Sequence, residues 1–218
     1  MTSQAPDLRS VAPRRRLAPA ERRAQIVAVG SEVFIENGYQ GTSLEDIAGS
    51  AGVTRPLIYR YFRDKDELYL EILRSARAEL DDALVSAVAA VDGTPVEQLH
   101  AGLVAYFSFV RDHGRQWDLL FGGGTAVAGS VASEATELRF ATAEKVALLI
   151  AAAVPGLGDR AGSAYAHAVS GASEQLAKWW RRNPDASLEE IVTFNLDVVW
   201  GGLERRAHPG PEDDAPGT

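Results

Sequence analysis

The chain has 218 residues, of which 46% are hydrophobic and 24% are charged, and it contains no cysteine. This composition is that of an ordinary globular protein and excludes a collagen-like, low-complexity or wholly disordered chain. The lack of cysteine excludes disulfide bonds, thiol nucleophiles and zinc–thiolate sites. The length corresponds to one or two domains, which can fold without stabilising disulfide bonds or metal sites.

The net charge of −8 is unevenly distributed along the chain. Residues 1–70 hold ten Lys/Arg and nine Asp/Glu, whereas residues 71–218 hold twelve Lys/Arg and 21 Asp/Glu. Residues 8–63 alone carry nine Arg and five acids, a net charge of +4. A basic N-terminal part followed by an acidic remainder indicates that the N-terminal part has a surface that binds a polyanion. Chance asymmetry is the alternative interpretation.

The first 18 residues are rich in Pro, Ser and Arg and lack any apolar period. We predict a flexible basic arm over residues 1–18, in which Arg14–Arg16 either serve solubility or reach nucleic acid. No apolar stretch follows this cluster, and no run approaches the roughly 18 residues of a membrane span. We therefore expect a cytoplasmic protein with no membrane partner.

Helical patterns begin directly after the arm. Apolar residues at helical spacing predict a first helix over residues 19–37. A capping box from Thr42 to Glu45, with Glu45 interpreted as the reciprocal cap, predicts the start of a second helix that Gly52 ends. Thr54 caps a third short helix. Two short helices around a glycine-containing turn form a helix-turn-helix, which we assign to residues 19–64.

The helix over residues 54–62 carries the chemistry. Ile58 and Phe62 are spaced to point inward, and no acid occurs between residues 53 and 63. A guanidinium can donate two hydrogen bonds to guanine, while Tyr59 and Lys65 suit phosphate oxygens. The face left free on this helix carries Arg55, Pro56, Tyr59 and Arg60.

Three segments carry a family resemblance: IENGYQGTSLEDIA (35–48), AGVT (51–54) and LIYRYFRDKDEL (57–68). Together they resemble the DNA-binding domain of the TetR family of bacterial transcriptional regulators. The resemblance implies a three-helix N-terminal domain and a larger helical domain that binds an effector and forms a homodimer. It places at the DNA major groove Arg55, Pro56, Leu57, Tyr59 and Arg60. It places at phosphates Thr42, Ser43 and Lys65.

The remainder also has helical patterns, so we predict an all-α protein with a ligand-binding and dimerisation domain over residues 65–207. A Pro-, Gly- and Asp-rich tail over residues 208–218 is predicted to be disordered. The predicted helices are approximately 64–91, 94–112, 115–121, 130–153, 159–182 and 187–206.

Aromatic side chains on the middle helices are candidates for the effector site. They favour an apolar or aromatic ligand with one polar handle, although aromatics at helical spacing also form ordinary cores. The candidates are Tyr106, Phe109, Trp117, Phe121, Phe140, Tyr165 and His167.

The last helix is apolar on nearly every side, which predicts burial against more than one neighbour. A second subunit would provide that burial, and a deep core within one chain is the alternative. A two-fold dimer predicts a pseudo-palindromic operator with recognition helices 34–36 Å apart, or a multiple. The predicted interface residues are Trp180, Phe194, Val198, Val199 and Gly202.

Motifs of catalysis are missing from the sequence: no nucleophile elbow, phosphate loop or helical His–carboxylate metal spacing occurs. We therefore expect no enzyme activity, no metal and no cofactor. The sequence predicts a ligand-responsive transcriptional regulator, taken as a repressor, that binds operator DNA as a homodimer and is released by a small effector. The alternative is a helical ligand-binding or adaptor protein that has lost DNA binding.

Overall fold

The computed structural model describes residues 17–121, 130–154 and 156–207. Within these ranges the chain is helical and contains no strand, which confirms the predicted fold class. The predicted tail and all but the last two residues of the predicted arm lie outside the described residues. The helices are α1 (Pro19–Asn37), α2 (Leu44–Ser50), α3 (Arg55–Tyr61), α4 (Lys65–Ala89), α5 (Pro95–Asp112), α6 (Gly114–Phe121), α7 (Ser130–Ala153), α8 (Asp159–Trp180) and α9 (Leu188–Ala207).

Side-chain capping sets the starts of α2, α4 and α5, but the predicted cap of α2 is wrong by one residue. Ser43 is the N-cap and its partner is Asp46, whose pKa is lowered by hydrogen bonds from Ser43. Thr42 is only 4% exposed and donates its hydroxyl to the Gly38 carbonyl at 2.8 Å. The sequence is compatible with a capping box from Thr42 to Glu45 and with one from Ser43 to Asp46. The second box forms, with Leu44 buried as the first helical residue.

The three N-terminal helices pack around a small apolar core that continues into α4. At the surface of this unit, Arg23 of α1 contacts both α3 and α4. Its guanidinium bonds Glu71 of α4 at 2.9 Å and the Tyr61 carbonyl at 2.8 Å, and lies 4.4 Å from the Phe62 ring centroid. One side chain therefore connects α1 with the end of α3 and with α4.

Helices α4 and α6 both connect the N-terminal unit to the rest of the described chain. Helix α4 runs without interruption from one to the other and packs along α5 and α7. Helix α6 reaches back to α1, where Arg115 lies 2.8 Å from Glu32 and 3.5 Å from Glu36. The position of α1 is thus linked to α6 as well as to α4.

Helices α7 and α8 form an antiparallel pair with its own small core. Helix α9 packs between α5 and α8 and contributes Leu203 to that core. None of the described helices is both long enough and apolar enough to cross a membrane.

Candidate nucleic-acid interface

The turn between α2 and α3 sets the direction of the recognition helix. Gly52 adopts a positive φ of 63°, and the backbone N–H of Val53 bonds the Ala48 carbonyl at 2.9 Å. Thr54 is the N-cap residue of α3, although its side chain makes no capping hydrogen bond. Ile58 and Phe62 are fully buried, which confirms their predicted inward orientation.

The opposite side of α3 faces solvent. Arg55, whose side chain is 71% exposed, lies there with Tyr59 and Arg60. The Arg60 guanidinium lies 5.4 Å from the ring centroid of the neighbouring Tyr61. Pro56 is exposed as well, whereas Leu57 is half-buried. This helix therefore presents two guanidinium groups and a phenol outward.

Glu45 of α2 contacts two of these side chains. Its Oε1 lies 2.8 Å from Nε of Arg55 and accepts a hydrogen bond from the Tyr59 hydroxyl at 3.0 Å. The Arg55 guanidinium lies 5.7 Å from the Tyr59 ring centroid. The interpretation of Glu45 as a helix cap is wrong, since Asp46 has that role. No local sequence signal pairs Glu45 with residues ten and fourteen positions away.

The residues predicted to meet phosphates have different environments. Lys65 donates to the Tyr39 carbonyl at 2.9 Å and lies 4.3 Å from the Tyr39 ring centroid. An ammonium group carries three donors, so Lys65 can still bind a phosphate. Ser43 donates its hydroxyl to Asp46 at 2.5 Å. Thr42 is buried, so its side chain is unavailable to DNA in this conformation.

The predicted effector residues do not form one group. Tyr106, Trp117 and Phe121 are buried against each other between α5 and α6. The Trp117 indole N–H donates to the Tyr106 hydroxyl at 3.0 Å. Phe109 is buried nearby and stacks on His113 with ring centroids 4.9 Å apart.

The other predicted effector residues lie on the α7–α8 pair. Phe140 is exposed and its ring centroid lies 6.3 Å from that of His167, which is also exposed. Tyr165 packs against the separate α7–α8 core. An open cleft of about 460 Å³ lies elsewhere, and none of the seven candidates lines it. Helical spacing identified apolar positions but not which helices would meet.

The predicted dimer residues divide into outward and inward groups. Phe194 and Val198 of α9 are exposed, Val198 to 74%. Trp180 instead is 9% exposed in the single chain and donates its indole N–H to the Ala186 carbonyl at 2.8 Å, so its side chain packs within the subunit and its place in a subunit interface stays a prediction. Val199 packs against the α7–α8 core. Trp179, which is not among the predicted interface residues, is 41% exposed.

Gly202, one of the predicted interface residues, lies within helix α9. Its neighbour Gly201 has no atom within 4 Å of the position that a Cβ would occupy. The position of Gly202 in a subunit interface stays a prediction.

A buried ionic group that no sequence pattern predicted lies between α4 and α7. Arg77 is buried and bonds Asp81 through Nε at 2.8 Å and the Leu138 carbonyl through Nη1 at 3.1 Å. Lys145 of α7 reaches the same carboxylate at 2.6 Å. Nη2 of Arg77 lies 2.8 Å from Asp81 without the alignment of a hydrogen bond. Spacing of four residues on α4 was the only available signal.

Comparison with known proteins agrees with this architecture. Residues 26–72 match the family model for bacterial regulatory proteins of the tetR family, and residues 95–202 match the tetracyclin repressor-like C-terminal domain. Over 196 residues the chain is 31% identical to the HTH-type transcriptional activator FasR of Mycolicibacterium smegmatis, covering 86% of this chain and 85% of FasR. The chain belongs to the TetR family of bacterial transcriptional regulators.

Other TetR-family proteins match over different lengths. The HTH-type transcriptional repressor BepR of Brucella suis is 32% identical over 97 residues, which are 44% of this chain and 46% of BepR. A TetR-like transcriptional regulator from Rhodococcus sp. RHA1 has a similar crystal structure, with a TM-score of 0.69 and 25% identity over 87% of this chain and 99% of that one. This chain is therefore a helix-turn-helix transcriptional regulator. TetR-family regulators bind operator DNA and effectors, usually as dimers.

Among the described residues, no group of three or more His, Asp or Glu side chains is arranged to hold a metal ion.

Proposed function

We propose that this TetR-family protein is a ligand-released repressor that acts as a homodimer on a pseudo-palindromic operator. The observation that carries the proposal is the outward face of α3, where Arg55, Tyr59 and Arg60 are exposed on a helix without acidic residues. Such a face can donate hydrogen bonds to guanine and to phosphate oxygens. The protein acts in the cytoplasm, where DNA is available, and it acts by binding rather than by catalysis.

In this proposal the major groove is read by α3, and phosphates are bound beside it. Lys65 and Ser43 bind phosphates at the ends of the helix-turn-helix, whereas Thr42 positions the segment before α2 through its bond to Gly38. The residues that enter the groove are Arg55, Pro56, Leu57, Tyr59 and Arg60.

The homodimer forms through the exposed face of α8 and α9. Three large apolar side chains, Trp179, Phe194 and Val198, are exposed on these adjacent helices. The same side of α8 carries small exposed residues at 164, 168 and 171, which allow a second helix to approach closely. Burying this face in a partner removes apolar surface from water.

The effector is an apolar or aromatic molecule that loosens the packing of α6 on α5 around Trp117. Helix α6 also holds Arg115, which pairs with Glu32 of α1. A shift of α6 is therefore transmitted directly to the DNA-binding unit. Effector coupling of about 1–3 kcal/mol would suffice to lower operator occupancy markedly.

An activator is the second candidate, and a specific observation favours it. FasR, named an activator, matches over 86% of this chain, whereas BepR, named a repressor, matches over 44%. The two candidates share the DNA-binding face and differ in where the bound protein stands relative to the promoter. The adaptor alternative predicts no DNA binding at all.

Fluorescence anisotropy on duplexes from upstream of the protein's own gene tests the proposal. Binding tighter than to a scrambled duplex, and weakening steeply with salt, supports a specific regulator. Arg55→Ala is the matched variant in which this preference should weaken. In vitro transcription from the bound promoter then separates repression from activation. Failure to bind any DNA at low salt would favour the adaptor alternative.

A further inference from the structure

We infer that Glu45 is a positioning residue that orients Arg55 for a guanine and thereby sharpens the base preference of the recognition helix. This inference rests on the proposed DNA-binding function. It concerns a carboxylate on α2, outside the helix that enters the groove.

The geometry brings three side chains from two helices into one cluster. A single oxygen of Glu45 lies 2.8 Å from Nε of Arg55 and 3.0 Å from the Tyr59 hydroxyl. The Tyr59 ring flanks the guanidinium, with 5.7 Å between its centroid and the central carbon. All three side chains remain substantially exposed. The cluster therefore lies on the surface that faces DNA rather than inside the core.

The chemistry of arginine explains why such a contact would help recognition. A guanidinium carries five N–H donors in one plane, and a carboxylate on Nε leaves donors for the N7 and O6 atoms of guanine. Long arginine side chains lose much rotamer freedom when they bind. If the Arg55 guanidinium is already held in one orientation before DNA binds, less rotamer entropy is lost when it binds in that orientation. Affinity for a guanine at that position therefore increases relative to the other bases.

The negative charge of Glu45 acts in the same direction. Asp46, the neighbouring acid, is already held in the α2 capping box with Ser43. Glu45 offsets the charge of Arg55 and so weakens its attraction to phosphates, which carry no sequence information. The guanine hydrogen bonds depend on geometry and are retained. Affinity for arbitrary DNA falls while discrimination rises.

The test is selection of bound duplexes from a pool with a randomised 24-base-pair core, followed by sequencing. Four full-length proteins are run in parallel: the parent, Glu45→Gln, Arg55→Ala and the control Glu79→Gln. Glu79 is an exposed carboxylate of α4 away from the recognition helix. Glu45→Gln keeps the size of the side chain and removes its charge. Thermal melts establish that each variant is folded.

We expect Arg55→Ala to lose a guanine preference at one position of each half-site. Glu45→Gln should keep the same site and lower the preference at that position alone by about twofold to fivefold, the range expected of an exposed ion pair. Its affinity for a scrambled duplex at low salt should rise. Glu79→Gln should match the parent in both measurements.

Other outcomes decide against the inference. An unchanged or sharper preference in Glu45→Gln, or a change at a position that Arg55→Ala leaves intact, overturns the positioning role while the DNA-binding function stands. A parent protein that enriches no sequence overturns the proposed function itself, and the inference with it.

Discussion

Two exposed surfaces of this molecule differ in the chemistry that they offer a partner. The face of α3 carries Arg55, Tyr59 and Arg60, and Glu45 of α2 already contacts the first two. The face of α8 and α9 carries Trp179 and Val198, apolar side chains that remain open to water. The α3 face is polar, and contacts among its side chains already hold some of them in place. The other face is distinguished by its large exposed apolar side chains.

This difference indicates what each surface can bind and how its binding depends on salt concentration. Attraction between guanidinium groups and phosphates is screened by salt, so DNA binding through α3 should weaken as the salt concentration rises. Burial of apolar area depends little on ionic screening. Moderate salt should therefore separate operator binding from subunit association, and mutations can test each surface separately.

The largest effect is expected for Trp180→Ala, which tests the inward side of α8. Removing this indole leaves a cavity beside Phe107 and deprives the Ala186 carbonyl of its donor, costing about 3–5 kcal/mol of unfolding free energy. Urea denaturation at one protein concentration measures it. Trp179→Ala is the adjacent control and should mainly weaken dimerisation. A greater loss of unfolding free energy in Trp179→Ala, at a protein concentration where sedimentation shows both variants to be monomers, would reverse the assignment of the two indoles.

A charge on the outward side of α9 tests the apolar surface. In Val198→Asp, a two-fold interface would bury two unpaired carboxylates, so we expect the dimer dissociation constant to rise at least about 100-fold. Helicity should be unchanged because Val198 is 74% exposed in the single chain. Sedimentation equilibrium measures the change.

Val85→Asp, at an exposed valine of α4, is the matched control for Val198→Asp. It should sediment as the parent does. Identical sedimentation of all three proteins would place the subunit interface elsewhere.

Arg55→Ala tests the polar surface. Loss of a bidentate contact to guanine should weaken operator binding by about 1–3 kcal/mol, with a shallower salt dependence if a phosphate contact is also lost. Thermal stability should change by less than about 0.5 kcal/mol, since the side chain is mostly exposed. Anisotropy titrations measure the affinity. Arg111→Ala, which removes an exposed arginine paired with Asp112, should bind operator like the parent.

The smallest effect concerns the contact between α1 and α4. The hydrogen bond from Arg23 lowers the pKa of Glu71 from its ordinary value of 4.5. The pair therefore stabilises the folded state fully above about pH 4.5, and this contribution is lost as the pH falls through the lower folded-state pKa. Because Glu71 is about one third exposed, we expect Glu71→Gln to cost roughly 0.5 kcal/mol at neutral pH.

Measurements at low pH check the prediction for Glu71→Gln. The difference in unfolding free energy between Glu71→Gln and the parent should vanish below the folded-state pKa, as followed by urea denaturation between pH 3 and 7. Glu79→Gln, an exposed carboxylate on the same helix, should show no such pH dependence relative to the parent. A difference that persists at pH 3 would mean that packing, not charge, supports the contact.

Sequence patterns predicted the elements of this fold closely because their causes are local. The bounds of α1 and α7 agree with the predictions residue for residue. A capping box of Thr94 and Glu97 begins α5 at Pro95, one residue after the predicted start. Ile58 and Phe62 are buried because the α3 pattern places both on one side of a short helix. The family resemblance over residues 35–68 likewise lies in local segments, where particular residue types follow one another in order.

Only the tertiary structure decided which neighbouring residue faces which partner. Successive residues on a helix point about 100° apart, so either Trp179 or Trp180 could have faced inward, and packing against Phe107 of α5 selected the second. Glu45 meets Arg55 because the α2–α3 turn brings distant residues together. Local periodicity determines which residues form a helix and an apolar stripe. Contacts between helices, which depend on how the whole chain packs, determine what each side chain touches.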